Sequence, residues 1–191
     1  GYENERVIAE AKQLIPPHIT ASFVVNDDWQ KQNGISLLAA AGHVTAPFLL
    51  TMGDHVFEDS IIDCLLENFE PGVLNIAIDR KVHSIVDLDD AMKVQTRGNK
   101  VTGIGKNLPS YDAIDTGLFV CPPEIFAYLE QAKANNPGQD CSLANGMELM
   151  AADGKVRGID IGSARWHDID TRRVLEHAEQ NTSWRVLRTL N

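Results

Sequence analysis

"FLLTMGDHVFEDSIIDCLL", residues Phe48 to Leu66, is the stretch on which the reading of the chain turns. Phe48 to Met52 is a continuous apolar run, and from Glu58 onward the apolar residues recur at helical spacing through Ile61, Ile62, Leu65 and Leu66. A run of the first kind predicts a strand buried on both faces, the second a helix packed on one. Asp54 stands where the strand ends.

The same alternation extends in both directions. Val7, Ile8, Ala11, Leu14 and Ile15 predict a helix that stops at Pro16–Pro17, and "ITASFVV" (19–25) reads as a short strand. Gly34 falls in a predicted turn before an Ala/Leu-rich helix. Downstream, "GVLNIAID" is a strand, "KVQTRGNKVTGIG" two strands joined through Arg97–Asn99, and "AIDTGLFVC" another strand, followed by a helix opening at Pro122–Pro123. "KANNPGQDCSLANG" reads as a loop, "KVRGIDIG" as a strand and "RWHDID" as a short extended piece. "TRRVLEHAEQNTSWRVLRTL" predicts a long amphipathic helix capped by Asp170 or Thr171, with Trp184, Val186 and Leu187 on a packing face. Strands alternating with helices predict one α/β domain with a mostly parallel, mixed sheet covered on both faces.

Composition narrows the function. With 17 basic against 27 acidic residues and a net charge of −10, a nucleic-acid surface is not expected, because such surfaces neutralise phosphates with Lys and Arg. No apolar run approaches the roughly 20 residues that cross a bilayer. Cys64, Cys121 and Cys141 are odd in number and scattered, which predicts neither a disulfide framework nor a zinc site and fits a reducing cytoplasm. "NTS" at 181–183 matches a glycosylation pattern, but no leader precedes it, so it is read as chance.

In an open α/β sheet, ligands bind beyond the carboxyl ends of the strands, where Asp54 falls. It could cap the following helix or hold a ligand. Asp168 and Asp170 follow the last predicted strand and face the same two alternatives. Magnesium is usually held by one or two carboxylates together with substrate phosphates, so two distant acids meeting at this edge fit a nucleotide site. "GIGK" at Gly103–Lys106 has no P-loop spacing. Arg80 and Lys81 follow a strand and are either phosphate contacts or surface charge; His55 is either a contact of the metal acid or a structural histidine.

"NGISLLAA" (33–40), "FLLTMGDHVF" (48–57), "VTGIGKNLPSYDAIDTGLFV" (101–120) and "WHDIDT" (166–171) together resemble the sugar-phosphate nucleotidyltransferases. The nearest branch is the CTP:inositol-1-phosphate cytidylyltransferases, including forms fused to a membrane phosphotransferase that makes di-inositol phosphate phosphate. The resemblance implies a three-layer Rossmann-like fold and transfer of CMP from CTP to a phosphorylated alcohol, inositol 1-phosphate first among them, with release of pyrophosphate. It implies Mg2+ held by Asp54 and Asp168, with Lys106 on the acceptor phosphate. Asn33, Gly34 and Ser36 would seat the nucleotide, and Asp115, Thr116 and Gly117 would line the acceptor pocket. Phosphocholine, a phosphonate or a hexose 1-phosphate stay open as acceptors, and so does a homodimer. "DID" at 168–170 also resembles the metal motif of glycosyltransferases, but it lies far from a central nucleotide-site strand.

The family opens with a strand and a glycine-rich loop of the type LAAGxGxRL, which these residues do not contain. The expectation is therefore one nucleotidyltransferase domain over residues 1–191 without its N-terminal strand and loop. A non-catalytic remnant that binds a nucleotide or a partner is the alternative from another class.

Overall fold

Burial is concentrated in two neighbouring strands. Every residue of Leu74–Asp79 is buried, and so is every residue of Ala113–Cys121 except Asp115. The computed structural model describes residues 1–85 and 87–181. Its strands are β1 (Phe48–Thr51), β2 (His55–Phe57), β3 (Leu74–Asp79), β4 (Lys93–Arg97), β5 (Lys100–Gly105), β6 (Ala113–Cys121), β7 (Val156–Asp160) and β8 (Trp166–Asp168). Its helices are α1 (Asn4–Leu14), α2 (Asn33–Ala39), α3 (Ser60–Asn68), α4 (Ile125–Asn135), α5 (Leu143–Ala152) and α6 (Arg172–Asn181).

Six strands form one sheet in the order β1-β6-β3-β7-β5-β4, and β2 pairs with β8 in a separate two-stranded ladder. The sheet is mixed, as expected, but its pairing is mostly antiparallel rather than mostly parallel. β1, β3, β4 and β7 run one way and β5 and β6 the other, so the only directly parallel pair among the described strands is β3–β7.

The two faces bury different side chains because successive residues of a strand point to opposite sides. Ile76, Ile78 and Phe119 pack under α4 and α5 with Ile125, Leu129, Met147 and Met150. Ala77, Leu118 and Val120 face the other way, onto Ile61 and Leu65 of α3. The result is three layers, helix, sheet and helix. Among the described residues, no helix is long and apolar enough to cross a membrane.

Several expectations are corrected. β1 is not buried on both faces: it lies at one margin of the sheet with β6 as its partner, and its residues alternate between half-buried and exposed. "ITASFVV" forms no strand, because it pairs with none of the described strands, and Ile19, Phe23, Val24 and Val25 are 38 to 52% exposed. Gly34 is the second residue of α2 rather than part of a turn. The predicted loop conceals the start of α5, where Ser142 accepts from the Asn145 backbone and the Asn145 side chain accepts from the Ser142 N–H, a reciprocal cap. β2 interrupts what reads as a direct passage from strand to helix. The N–H of Val174 reaches the Thr171 hydroxyl at 3.3 Å, so Thr171 caps α6. The predicted run of that helix beyond 181, with Trp184, Val186 and Leu187 and the rest of "NTS", lies outside the described residues.

α2 approaches α5 closely enough that a Cβ on Gly34 would come within 2.6 Å of the Cys141 carbonyl oxygen and 2.8 Å of the Ser142 carbonyl carbon. Backbone cannot move aside as a side chain does, and such overpacking costs about 1–3 kcal/mol. Gly34→Ala is therefore expected to lower the urea midpoint. Gly42→Ala, where nothing lies within 4 Å of the added Cβ, leaves it nearly unchanged.

Candidate active site

A cleft of about 510 Å³ opens beyond the carboxyl ends of β1 and β3. That volume falls in the usual range for a small-molecule site, about 300–1,000 Å³. The ladder between β2 and β8 builds its floor. In that register His55 lies opposite Asp168, and the Ile169 N–H donates to the Asp54 carbonyl at 2.9 Å. Two acids 114 positions apart in sequence are thereby brought to one point: the ligand atoms of Asp54, His55 and Asp168 all lie within 4.8 Å of one another.

The charge balance at this point is negative. Loss of water raises the Asp168 carboxyl above the usual carboxylate range; His55 pulls it down, while the neighbouring carboxylates of Asp170, Asp54 and Asp90 push it further up. Asp168 Oδ1 is buried and has no hydrogen-bond partner among the described residues. A buried acceptor left unsatisfied among like charges fits a cation, and oxygen donors of this kind fit a hard divalent one. The residues present therefore suit the magnesium that the resemblance implies.

The other expected residues divide. Lys106 lines the cleft, where its ammonium lies 2.6 Å from Asp90 Oδ1 in an exposed ion pair. Asp115 and Gly117 line it as well, whereas Thr116 is fully buried and its hydroxyl donates to the Ala77 carbonyl at 2.9 Å. Asn33 reaches the cleft, and its Oδ1 accepts from the Leu143 N–H at the start of α5. Gly34 and Ser36 do not line the cleft; Ser36 Oγ instead accepts from the buried Asn26 at 2.9 Å. Asn33 thus carries the contact of the "NGIS" segment with the cleft, and Gly34 lets it approach α5. Lys81 lies at the cleft with its ammonium occupied by Asp79 at 2.8 Å and by the carbonyls of Gly162 and Ala164. Arg80 points away from the cleft to Asp112, Thr96 and Asp160.

Asp79 is the residue that reading the sequence missed. Nearly inaccessible at the end of β3, it accepts from the Lys81 backbone at 2.7 Å and from the Trp166 indole N–H at 3.0 Å. It therefore ties the end of the central strand to β8. The available signal was the one used for Asp54, an acid closing an apolar strand.

The three-layer fold, with its cleft at the strand ends, is similar to that of solved nucleotidyltransferases. No family model matches the chain. In sequence it is similar to the bifunctional IPC transferase and DIPP synthase of Thermococcus kodakarensis, 34% identical over 178 residues, covering 93% of this chain and 39% of that protein. The Archaeoglobus fulgidus protein of the same name is 31% identical, with 91% of this chain and 38% of that one covered. The chain spans about two fifths of the length of these relatives. In structure it is similar to the inositol-1-phosphate CTP transferase from T. maritima, with a TM-score of 0.76 and 24% identity, covering 90% of this chain and 68% of that one. The resemblance read from four segments thus holds over nearly the whole chain.

Asp115 gives a pH prediction. Loss of water pushes its carboxyl up to about 7, against the Gly117 N–H that it accepts at 2.7 Å and the neighbouring His55. The unfolded chain titrates near 3.9. Between these values the folded state binds more protons than the unfolded one, so this group's contribution to stability is full below about pH 4 and is lost as the pH rises through 7. Asp115→Asn, which does not titrate, is expected to lose less thermal midpoint than the parent between pH 5 and 8 in a chelator-treated sample.

Proposed function

We propose that residues 1–191 form the greater part of a cytidylyltransferase domain that transfers CMP from CTP to a phosphorylated alcohol, inositol 1-phosphate by preference. The observation that carries this reading is the β2–β8 register, which sets Asp54 and Asp168 together in a cleft that Lys106 also lines. The names of the similar proteins support the choice of CTP and inositol phosphate.

On this reading an oxygen of the acceptor phosphate attacks the α-phosphorus of CTP, a P–O bond forms there, and the bond to the β-phosphate breaks to release pyrophosphate. Both reactants are anions, so catalysis is chiefly a matter of placing them and offsetting their charge. Lys106 is the group for the acceptor phosphate. Its partner Asp90 holds the ammonium over the cleft and is displaced by the stronger phosphate acceptor. Asn33 retains its amide N–H groups for the nucleotide, because its oxygen is committed to α5. Asp115 and the Gly117 backbone form the adjoining wall. When bound by Asp54 and Asp168, Mg2+ would neutralise charge on the phosphate oxygens.

The names of the relatives pair this transferase with a DIPP synthase. By the same reading, the protein works on the cytoplasmic side of a membrane and carries a phosphotransferase beyond these residues that consumes the CDP-activated alcohol.

Pyrophosphate release by the full-length protein, measured with each nucleoside triphosphate against a panel of phosphorylated alcohols, is expected to be fastest with CTP and inositol 1-phosphate. Asp54→Asn should lower kcat by about a hundredfold or more, the scale of losing one strong electrostatic contact to the reacting phosphates. Lys106→Ala should raise KM for the acceptor and leave KM for CTP nearly unchanged. An Asp54→Asn variant of full activity, or a Lys106→Ala variant with an unaltered acceptor KM, would remove the corresponding role.

A further inference from the structure

His55 is held more firmly than the acids on either side of it. Its side chain is 11% exposed, against 57% for Asp54 and 40% for Asp168. The ring stacks on Trp166 with centroids 5.6 Å apart and planes 23° from parallel, and Asp79 fixes that indole in turn. Gly117 makes room for it: at φ +75 its missing Cβ would stand 2.3 Å from His55 Nδ1.

The hydrogen bonding of the ring fixes which nitrogen is available. Nδ1 lies 2.7 Å from the Thr116 carbonyl oxygen. A carbonyl can only accept, so Nδ1 carries the hydrogen, and in the neutral ring the lone pair is on Nε2. Nε2 faces the two acids, 3.5 Å from Asp168 Oδ2 and 3.8 Å from Asp54 Oδ1. These separations are long for hydrogen bonds. They do fit donors that share an ion: two atoms each about 2.1 Å from one cation stand roughly 3 to 4 Å apart, depending on the angle between them. A ring nitrogen that donates to a carbonyl while its opposite nitrogen faces carboxylates is the outer-shell arrangement of metal-bound histidines.

We propose that His55 is a third ligand of the cation, through Nε2, and that this nitrogen raises the affinity of the centre for Mn2+ or Co2+ more than for Mg2+. This rests on the reading that Asp54 and Asp168 hold a divalent cation. The selectivity follows from ligand chemistry, since Mg2+ favours an all-oxygen octahedron and gives up its water reluctantly, whereas first-row transition ions such as Mn2+ and Co2+ accept an imidazole nitrogen more readily than Mg2+ does. It goes beyond the two carboxylates by assigning the chain's own nitrogen donor and the ions it favours.

The test is Mn2+ binding to the intact protein, followed by pulsed electron paramagnetic resonance for coupling to a coordinated 14N nucleus. The parent is expected to bind Mn2+ with that coupling. His55→Asn keeps an amide N–H for the Thr116 carbonyl but presents no ring lone pair; it is expected to lose the coupling and to weaken Mn2+ by about tenfold or more, with Mg2+ changed far less. Should the variant fail to fold, the parent spectrum decides. Mn2+ bound without nitrogen coupling, but lost in Asp54→Asn, overturns the role of His55 and leaves the two-acid centre standing. No Mn2+ binding, or binding indifferent to both Asp54→Asn and Asp168→Asn, overturns both and leaves His55 as a structural contact of the β2–β8 ladder.

Discussion

The site depends on one short antiparallel pairing. Three residues of β2 lie against three of β8, and the register sets His55 opposite Asp168. Because side chains alternate along a strand, a slip of one residue would turn His55 and Asp168 to opposite faces and separate the carboxylates. Such a short ladder is weak alone. It is held from outside by the Arg165 pair with Glu58, by the Ile169 bond to the Asp54 carbonyl and by Asp79, which reaches Trp166 from the end of the central strand. The buried sheet thus transmits its rigidity to a loop pair that could not keep its own register.

Charge distribution explains why this edge is the working one. The chain carries a net charge of −10, and at the cleft Asp54, Asp168, Asp170, Asp87 and Asp90 gather on one rim. Two nearby ammonium groups are already engaged, Lys81 with Asp79 and Lys106 with Asp90. They differ in how tightly. Lys81 is bound by a nearly inaccessible carboxylate and two carbonyls, which makes it structural, whereas the Lys106 pair is about half exposed on both sides and easily exchanged. Under the proposed function, a rim of this kind repels phosphates until a cation joins it, so metal and nucleotide are expected to bind together.

Local pattern made much of the fold legible. α3, α4 and the hairpin β4–β5 follow from apolar spacing and turn chemistry, and β3 from a short run rich in branched apolar residues. α5 was missed because "NNPGQD" and the following Asn-Gly look like turn residues, although Leu143, Met147 and Met150 keep helical spacing and are all buried. In "ITASFVV" the error ran the other way: β-branched and aromatic residues favour a strand, but a strand exists only where a partner supplies its hydrogen bonds. β1 read as doubly buried because composition reports apolarity and not position in the sheet.

The sequence by itself determined the layered α/β class, the place of Asp54 at a strand end and, through four matching segments, the nucleotidyltransferase resemblance. Only the tertiary structure decided which of the candidate residues meet. It brought Asp168 to Asp54 and His55, drew Asp79 under Trp166, and turned Thr116, Gly34 and Ser36 to structural contacts. The reason is physical: propensity and periodicity act over a few residues, whereas strand order, register and burial are set by hydrogen bonds and packing between segments distant in sequence, as far apart as His55 and Asp168.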